Sequence, residues 1–312
     1  MASQSYLCPI DDAVLRMKFV HSPKYRADIG VHVFPTEKYD RIRQKLSEEG
    51  VLDDQHVFVP ERPNNEQLLK IVTKEYLDDL INLRLTARTY PSEMPVQKNI
   101  IEAQILCCGG SYRAAQLALD SGACYHIGGG FHHAFPDHAE GFCYLNDVVF
   151  GAVMMLEQGL RRIAIIDCDL HQGNGTAKFF ENEGRVFTFS IHQEHLYPAK
   201  QKSDLDIGLD NGVGDEEYLQ KLEGALARIF DEFNPDFIIY LAGADPYVFD
   251  QLGSLRLSIE GLRKRDELVV QRAHAQSSPL IAVLGGGYAE DINDTVEIHC
   301  NTARVLCDME TR

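Results

Sequence analysis

The sequence predicts an α/β fold: a parallel sheet covered by helices on both faces. Three observations predict it. Short apolar runs alternate along the chain with helical stretches, the pattern of βαβ units. The run Ile163-Ala164-Ile165-Ile166 is apolar throughout, as in a strand buried on both faces. Four strands also stop in stretches rich in glycine, acids or histidine, where a parallel sheet places its ligand-binding edge.

Taken in order, a helix is predicted from Tyr39 to Glu49, ended by Gly50, and a second from Glu66 to Leu83. Gly109-Gly110 open a third, rich in alanine and leucine, that stops near Ser121-Gly122. The strand Cys124–Ile127 runs into Gly128-Gly129-Gly130-Phe131-His132-His133. A helix from Asn146 to Gln158 leads to the strand Ile163–Asp167, followed by Cys168-Asp169-Leu170-His171. After the strand Val186–Ser190, Asp215 to Phe233 is the clearest helix, with Tyr218, Leu222, Leu226, Ile229 and Phe233 at helical spacing and Asn234-Pro235 as its stop. The strand Phe237–Ala242 runs into Gly243-Ala244-Asp245, and Leu280–Leu284 into Gly285-Gly286-Gly287-Tyr288.

With 312 residues, 45% of them hydrophobic, and no Ser/Gly-rich linker or repeat, one domain over residues 1–312 is expected. No apolar stretch reaches the roughly 18–20 residues of a membrane span. The start, MASQSYLCPIDDAVLRMKF, has acids where a signal peptide has a basic and then an apolar region. A cytoplasmic, soluble protein without a membrane partner is therefore expected. The net charge of −17 argues against nucleic acid and suits a cationic substrate such as a lysine-rich segment. None of the eight cysteines forms a CxxC pair, so they read as buried reduced thiols.

Asp169 and His171 are two apart, so in an extended segment they project to one side while Cys168 packs on the other. With Asp245 as a third ligand, two carboxylates and an imidazole suit Zn²⁺ and leave a coordination position open. His132 and His133 follow a glycine-rich turn, with Asp167 and Asn174 available as partners that would set different protonation states. Tyr288 can aim an O–H at a developing oxyanion. Read singly, each acid fits a helix cap, each histidine a core position, and GGGY a loop with an aromatic plug. Their convergence on one sheet edge favours a site, and the set is a toolkit for metal-assisted amide hydrolysis.

The segments GGGFHHA (Gly128–Ala134), GFCYLND (Gly141–Asp147), DCDLHQGNG (Asp167–Gly175), GAD (Gly243–Asp245) and GGGY (Gly285–Tyr288) together resemble the histone deacetylase superfamily. The phenylalanine before the histidine pair, HQGNG, and Leu252–Val269 are most similar to its class IV members. The resemblance implies the arginase/deacetylase fold, a three-layer α/β/α domain with a mostly parallel eight-stranded sheet. It implies a zinc-dependent lysine deacylase, with iron as the alternative metal, in which Asp169, His171 and Asp245 hold the zinc. His133 would be the general base and His132 its partner, with Asp167 on His132 and Asn174 on His133. Tyr288 would polarise the acyl carbonyl. Asp167, Asp169, His171, Ser190 and Ile191 would form a potassium site. Gly141, Phe142, Tyr197, Gly286 and Gly287 would line the substrate tunnel. The rim aspartate that grips substrate backbone in class I has no counterpart in Thr86–Lys98.

The function expected on this resemblance is hydrolysis of N-ε-acyl-lysine in proteins. Gly285, read as leaving room beside the pocket floor, extends the expected range from acetyl to longer chains. The alternatives are an amidohydrolase of small acetylated amines such as acetylpolyamines and a non-catalytic acyl-lysine binder. A binuclear manganese hydrolase of the arginase type needs further aspartates, and Gly243–Phe249 supplies only Asp245.

Overall fold

All five residues of the strand Ile163–Asp167 are buried, because this strand lies inside an eight-stranded sheet and is covered on both faces. The structure is a computed structural model that describes residues 17–310. The opening stretch MASQSYLCPIDDAVLRMKF, in which no signal peptide is expected, lies almost wholly outside the described residues. In chain order the strands are β1 (Lys18–Val20), β2 (Val57–Phe58), β3 (Ala123–His126), β4 (Ile163–Asp167), β5 (Val186–Gln193), β6 (Leu205–Leu209), β7 (Phe237–Leu241) and β8 (Leu280–Val283). The helices are α1 (Lys38–Glu48), α2 (Asn65–Leu68), α3 (Lys74–Ile81), α4 (Lys98–Ser121), α5 (Asp147–Glu157), α6 (Asn174–Phe180), α7 (Asp215–Arg228), α8 (Ile259–Ala275) and α9 (Ile292–Glu310).

The sheet order is β2-β1-β3-β8-β7-β4-β5-β6, and every pairing is parallel. Helices α4 and α5 pack together, while α1, α9, α8 and α7 pack in succession. No helix among the described residues is long and apolar enough to cross a membrane. Because β3, β8, β7 and β4 are consecutive in space, the four motif-bearing segments at their carboxyl ends lie side by side. Strand order therefore gathers residues from positions 128 to 288 into one place.

Three elements depart from expectation. Gly109 and Gly110 do not open a helix but lie within the 24-residue α4. A Cβ at Gly109 would sit 1.9 Å from the Glu61 carbonyl oxygen, and one at Gly110 2.3 Å from Tyr25 Oη. They are glycine for close packing, not to start a helix. The single helix expected over Glu66–Leu83 is two, α2 and α3. The Thr73 side chain caps α3, and its backbone N–H donates to Pro136 O at 2.7 Å instead of continuing α2. The stretch Asp215–Phe233 is helical as expected, but its last five residues form a π turn, closed by Asn234 at φ 51°. Strands β1, β2 and β6 lie at or next to the sheet edges, and β1 and β2, with three and two residues, are too short to show a period in the sequence. Six cysteines, from Cys107 to Cys300, are buried.

Candidate active site

The segment after β4 is a turn, not the extended run expected. The Asp167 and Asp169 carboxylates accept the N–H two residues on, from Asp169 at 3.1 Å and His171 at 3.0 Å. These local bonds re-aim both side chains to the same side. Cys168 is buried away from them, and burial pushes its thiol up to about 12. Asp245, beyond β7, accepts from Leu170 N at 2.9 Å and lies 3.3 Å from His171 Nδ1. Gly286 N donates to Asp169 Oδ2 at 2.7 Å. A Cβ at Gly286 would meet Asp245 Oδ2 at 2.1 Å. Glycine there is a condition of the cluster's closeness.

Among the described residues, Asp169, His171 and Asp245 form the group of metal-ligating type whose ligand atoms all lie within 4.8 Å of one another. Burial, then the Asp169 charge, raises Asp245 to about 6. Burial pulls His171 down, but hydrogen bonds to Asp169 and Asp245 outweigh it and hold the ring up at about 10. Two buried carboxylates thus face one imidazole, and the field that holds a proton on that ring would equally hold a cation. The donor set of two carboxylate oxygens and one imidazole nitrogen fits a divalent metal with positions left for other ligands.

The turn after β3 delivers the two histidines. Gly130, at φ +87°, lies so close to the Gly285 backbone that a Cβ would meet its nitrogen at 2.3 Å, so the two glycine-rich segments interlock. Asp147 accepts from Phe131 N at 2.8 Å and holds the turn from α5. His132 Nδ1 is 2.7 Å from Asp167 Oδ2, and His133 Nδ1 is 2.8 Å from Asn174 Oδ1. The two Nε2 atoms lie 3.1 Å apart. Burial lowers His132, but the charges of Asp167 and Asp169 carry it up to about 9. His133 has no such carboxylate partner: burial, then the neighbouring imidazoles, takes it well below its ordinary value. One ring is cationic and its neighbour neutral.

Tyr288 is buried, with its N–H donating to Asp250 Oδ2 at 2.7 Å and its carbonyl accepting from Gln251 at 2.7 Å. Burial, with Asp245 and Asp169 nearby, raises its phenol well above the ordinary range, so it stays a donor. Gly287, at φ +147°, turns the chain into it. Gly141 and Phe142 take left-handed backbone, and their N–H groups donate to Pro91 O and Ser92 O. The Phe142 ring faces Tyr288 at 5.9 Å and Phe34 at 6.0 Å. Tyr197 lies on the other side, 5.5 Å from His133 and 6.2 Å from His171. A narrow cavity lined by Phe34, Phe142, Gly286 and Tyr288 reaches Asp169 and His171. Tyr197 lines the wider surface groove beside Glu140 and Tyr90, and neither Gly141 nor Gly287 lines the narrow cavity. Asp167 and Ser190 are register partners on β4 and β5, Ser190 Oγ being 2.9 Å from His192 Nδ1, and Ile191 is buried next to it.

Gly285, at φ +76°, lines the narrow cavity, and a Cβ there would meet Leu241 Cδ2 at 2.5 Å and Asp169 Oδ2 at 3.0 Å, so glycine at this position keeps the cavity floor clear beside Asp169. Sequence reasoning missed Lys38, fully buried, whose Nζ donates to the Gly285 carbonyl at 2.7 Å. Burial lowers it to about 8 against the pull of Asp245 and Asp169. A signal was present: Lys38 shares the buried face of α1 with Ile42 and Leu46 at four-residue spacing.

The family model described as histone deacetylase domain matches residues 32–303. An uncharacterized protein of Picosynechococcus is 37% identical over 294 residues, covering 93% of this chain and 98% of its own length. Histone deacetylase 2 of Arabidopsis thaliana is 31% identical, covering 89% of this chain and 72% of that protein. A probable deacetylase of Archaeoglobus fulgidus is 32% identical, covering 78% and 73%. The crystal structure of a histone deacetylase homologue from Aquifex aeolicus superposes with a TM-score of 0.81 at 22% identity, over 95% of this chain and 84% of that one. It has the same fold.

Proposed function

The chain belongs to the histone deacetylase family, and from that premise we propose that it is a zinc-dependent amidohydrolase acting on N-ε-acyl-lysine in proteins. The observation that carries this reading is a neutral histidine, His133, set beside a cation-seeking cluster of two carboxylates and one imidazole. Asp169, His171 and Asp245 would hold the zinc, which when bound supplies Lewis acidity to the acyl carbonyl and to water. His133 Nε2 takes the proton of the attacking water and returns it to the leaving amine. Asp167 keeps His132 cationic beside it, so positive charge stands where negative charge develops. Tyr288 donates its O–H to the carbonyl oxygen, and Phe142 and Tyr197 flank the lysine stem. Potassium at Asp167, Asp169, His171, Ser190 and Ile191, a class IV affinity and a cytoplasmic location belong to the same proposal. Gly285 lines the cavity, and acyl chains longer than acetyl belong to the same proposal.

The test is turnover of acetyl-lysine peptides and of free acetylated diamines by zinc-loaded protein. The proposal expects the peptide to be the better substrate. A preference for the free diamine makes the chain a deacetylase of small amines, and acetyl-lysine binding without turnover makes it a binder. Tyr288→Phe should lower kcat about 10²–10³-fold with little change in Tm. A variant that melts early and keeps kcat would make Tyr288 structural.

A further inference from the structure

Glu140 immediately precedes the Gly141–Phe142 wall and has no part in the chemistry above. Its backbone is fixed by paired bonds with Cys143, at 3.0 and 2.8 Å. Its Oε1 accepts from Asn174 Nδ2 at 3.0 Å and from the Tyr197 hydroxyl at 3.1 Å, while Oε2 is 3.7 Å from His138 Nε2. Asn174 is buried, so bulk water does not orient its amide.

We propose that Glu140 is a positioning residue that fixes, through the Asn174 amide, which nitrogen of His133 carries the proton. It rests on the reading of His133 as the base. An ionised carboxylate can only accept, so it selects the NH₂ end of Asn174. The amide oxygen is thereby turned to His133 Nδ1, 2.8 Å away, and that nitrogen must supply the proton of the bond. The lone pair is left on Nε2, the nitrogen that faces His132 Nε2 at 3.1 Å. Turned by 180°, the same amide fills the same space but presents N–H groups to Nδ1, which favours the tautomer with its proton on Nε2 and no lone pair to take another. An aspartate at 174 would offer two equivalent acceptors and need no orienting partner. An asparagine needs one, and Glu140 is placed to be it.

The experiment compares zinc-loaded wild type, Glu140→Gln and Glu140→Leu, with Glu140→Ala as a second truncation should the leucine variant not fold. Long-range ¹H–¹⁵N correlation on ¹⁵N-histidine-labelled protein reads the His133 tautomer, assigned by difference against His133→Phe. Wild type should show His133 protonated at Nδ1. In Glu140→Gln the new side-chain carbonyl still accepts from Asn174 and Tyr197, so this variant should keep that tautomer and hold kcat within about threefold of wild type. Glu140→Leu should shift His133 toward protonation at Nε2 and lower kcat about tenfold or more, with KM changed less than about threefold. An unchanged His133 signature in Glu140→Leu overturns the proposal. So does equal loss in Glu140→Gln and Glu140→Leu confined to KM, which would make the charge a substrate contact. If the tautomer shifts while kcat holds, Glu140 keeps its positioning role and it is the base assignment of His133 that falls.

Discussion

The Asp169–His171–Asp245 cluster and the Arg265–Asp266 pair are both buried and both reach the ends of β4 and β7, yet their charges are balanced differently. Arg265 donates to Asp266, to Cys168 O and to Gly243 O. Asp266 also accepts from Tyr240 and, at 2.7 Å, from Thr302. One cation meets one anion, and the carboxylate's remaining lone pairs find hydroxyl donors. In the cluster, two carboxylates face one imidazole, and burial, then the Asp169 charge, raises Asp245 to about 6. Burying charge costs several kcal/mol per ion, and the first group offsets that cost within the protein while the second does not. The Arg265 pair holds the backbone just before Asp169 and just before Asp245. A self-sufficient ion pair thus acts as scaffold for a deficient one, and the deficiency marks the site.

The sharpest way to break this comparison is Asp245→Asn. It should leave zinc well below one per chain by metal analysis and remove nearly all turnover. Metal-stripped, it should melt no lower than stripped wild type at pH 7, because the buried Asp245 carboxylate is destabilising once ionised. Full zinc and full turnover in the variant would end the ligand assignment. Arg265→Ala should do the reverse to stability. It leaves the Asp266 carboxylate buried without its cation, a loss of about 3–5 kcal/mol in denaturant unfolding. A loss below about 1 kcal/mol would show that the pair is not the scaffold described.

The smallest effect comes from a third buried group, the network Tyr25–His126–Ser111–Asp147. His126 Nε2 is 2.8 Å from Tyr25 Oη and its Nδ1 3.1 Å from Ser111 Oγ. Burial lowers the ring to about 3. The unfolded chain binds this proton near pH 6.5 and the folded chain only near pH 3, so between these values the unfolded state holds more protons and stability falls as the pH falls. From about pH 6.5 to about pH 5 the loss attributable to His126 is about 2 kcal/mol. His126→Gln should flatten that part of the stability profile. Parallel acid slopes in variant and wild type would show that the ring does not titrate this way.

Much of the site was legible locally. Apolar runs located β3, β4, β7 and β8, and the residues after each carry their chemistry in their own side chains. Neighbours as near as Asp169 and His171, or a histidine pair behind three glycines, need no tertiary contact to be recognised, because a few bonds of backbone already place them together. The Asp167–His132 and Asn174–His133 partnerships needed the family pattern as well, since 35 and 41 positions separate the members. What Gly109 and Gly110 pack against, where the Gly285 Cβ would point, the Lys38 bond to a carbonyl 247 positions away, and the Glu140 bond to Asn174 across 34 positions were decided by tertiary structure alone. A sequence by itself determines the period of burial along each element and the chemistry each residue offers. Which elements lie side by side follows from the strand order β3-β8-β7-β4, set by burial of the whole apolar surface at once, and that order decides which offered groups meet.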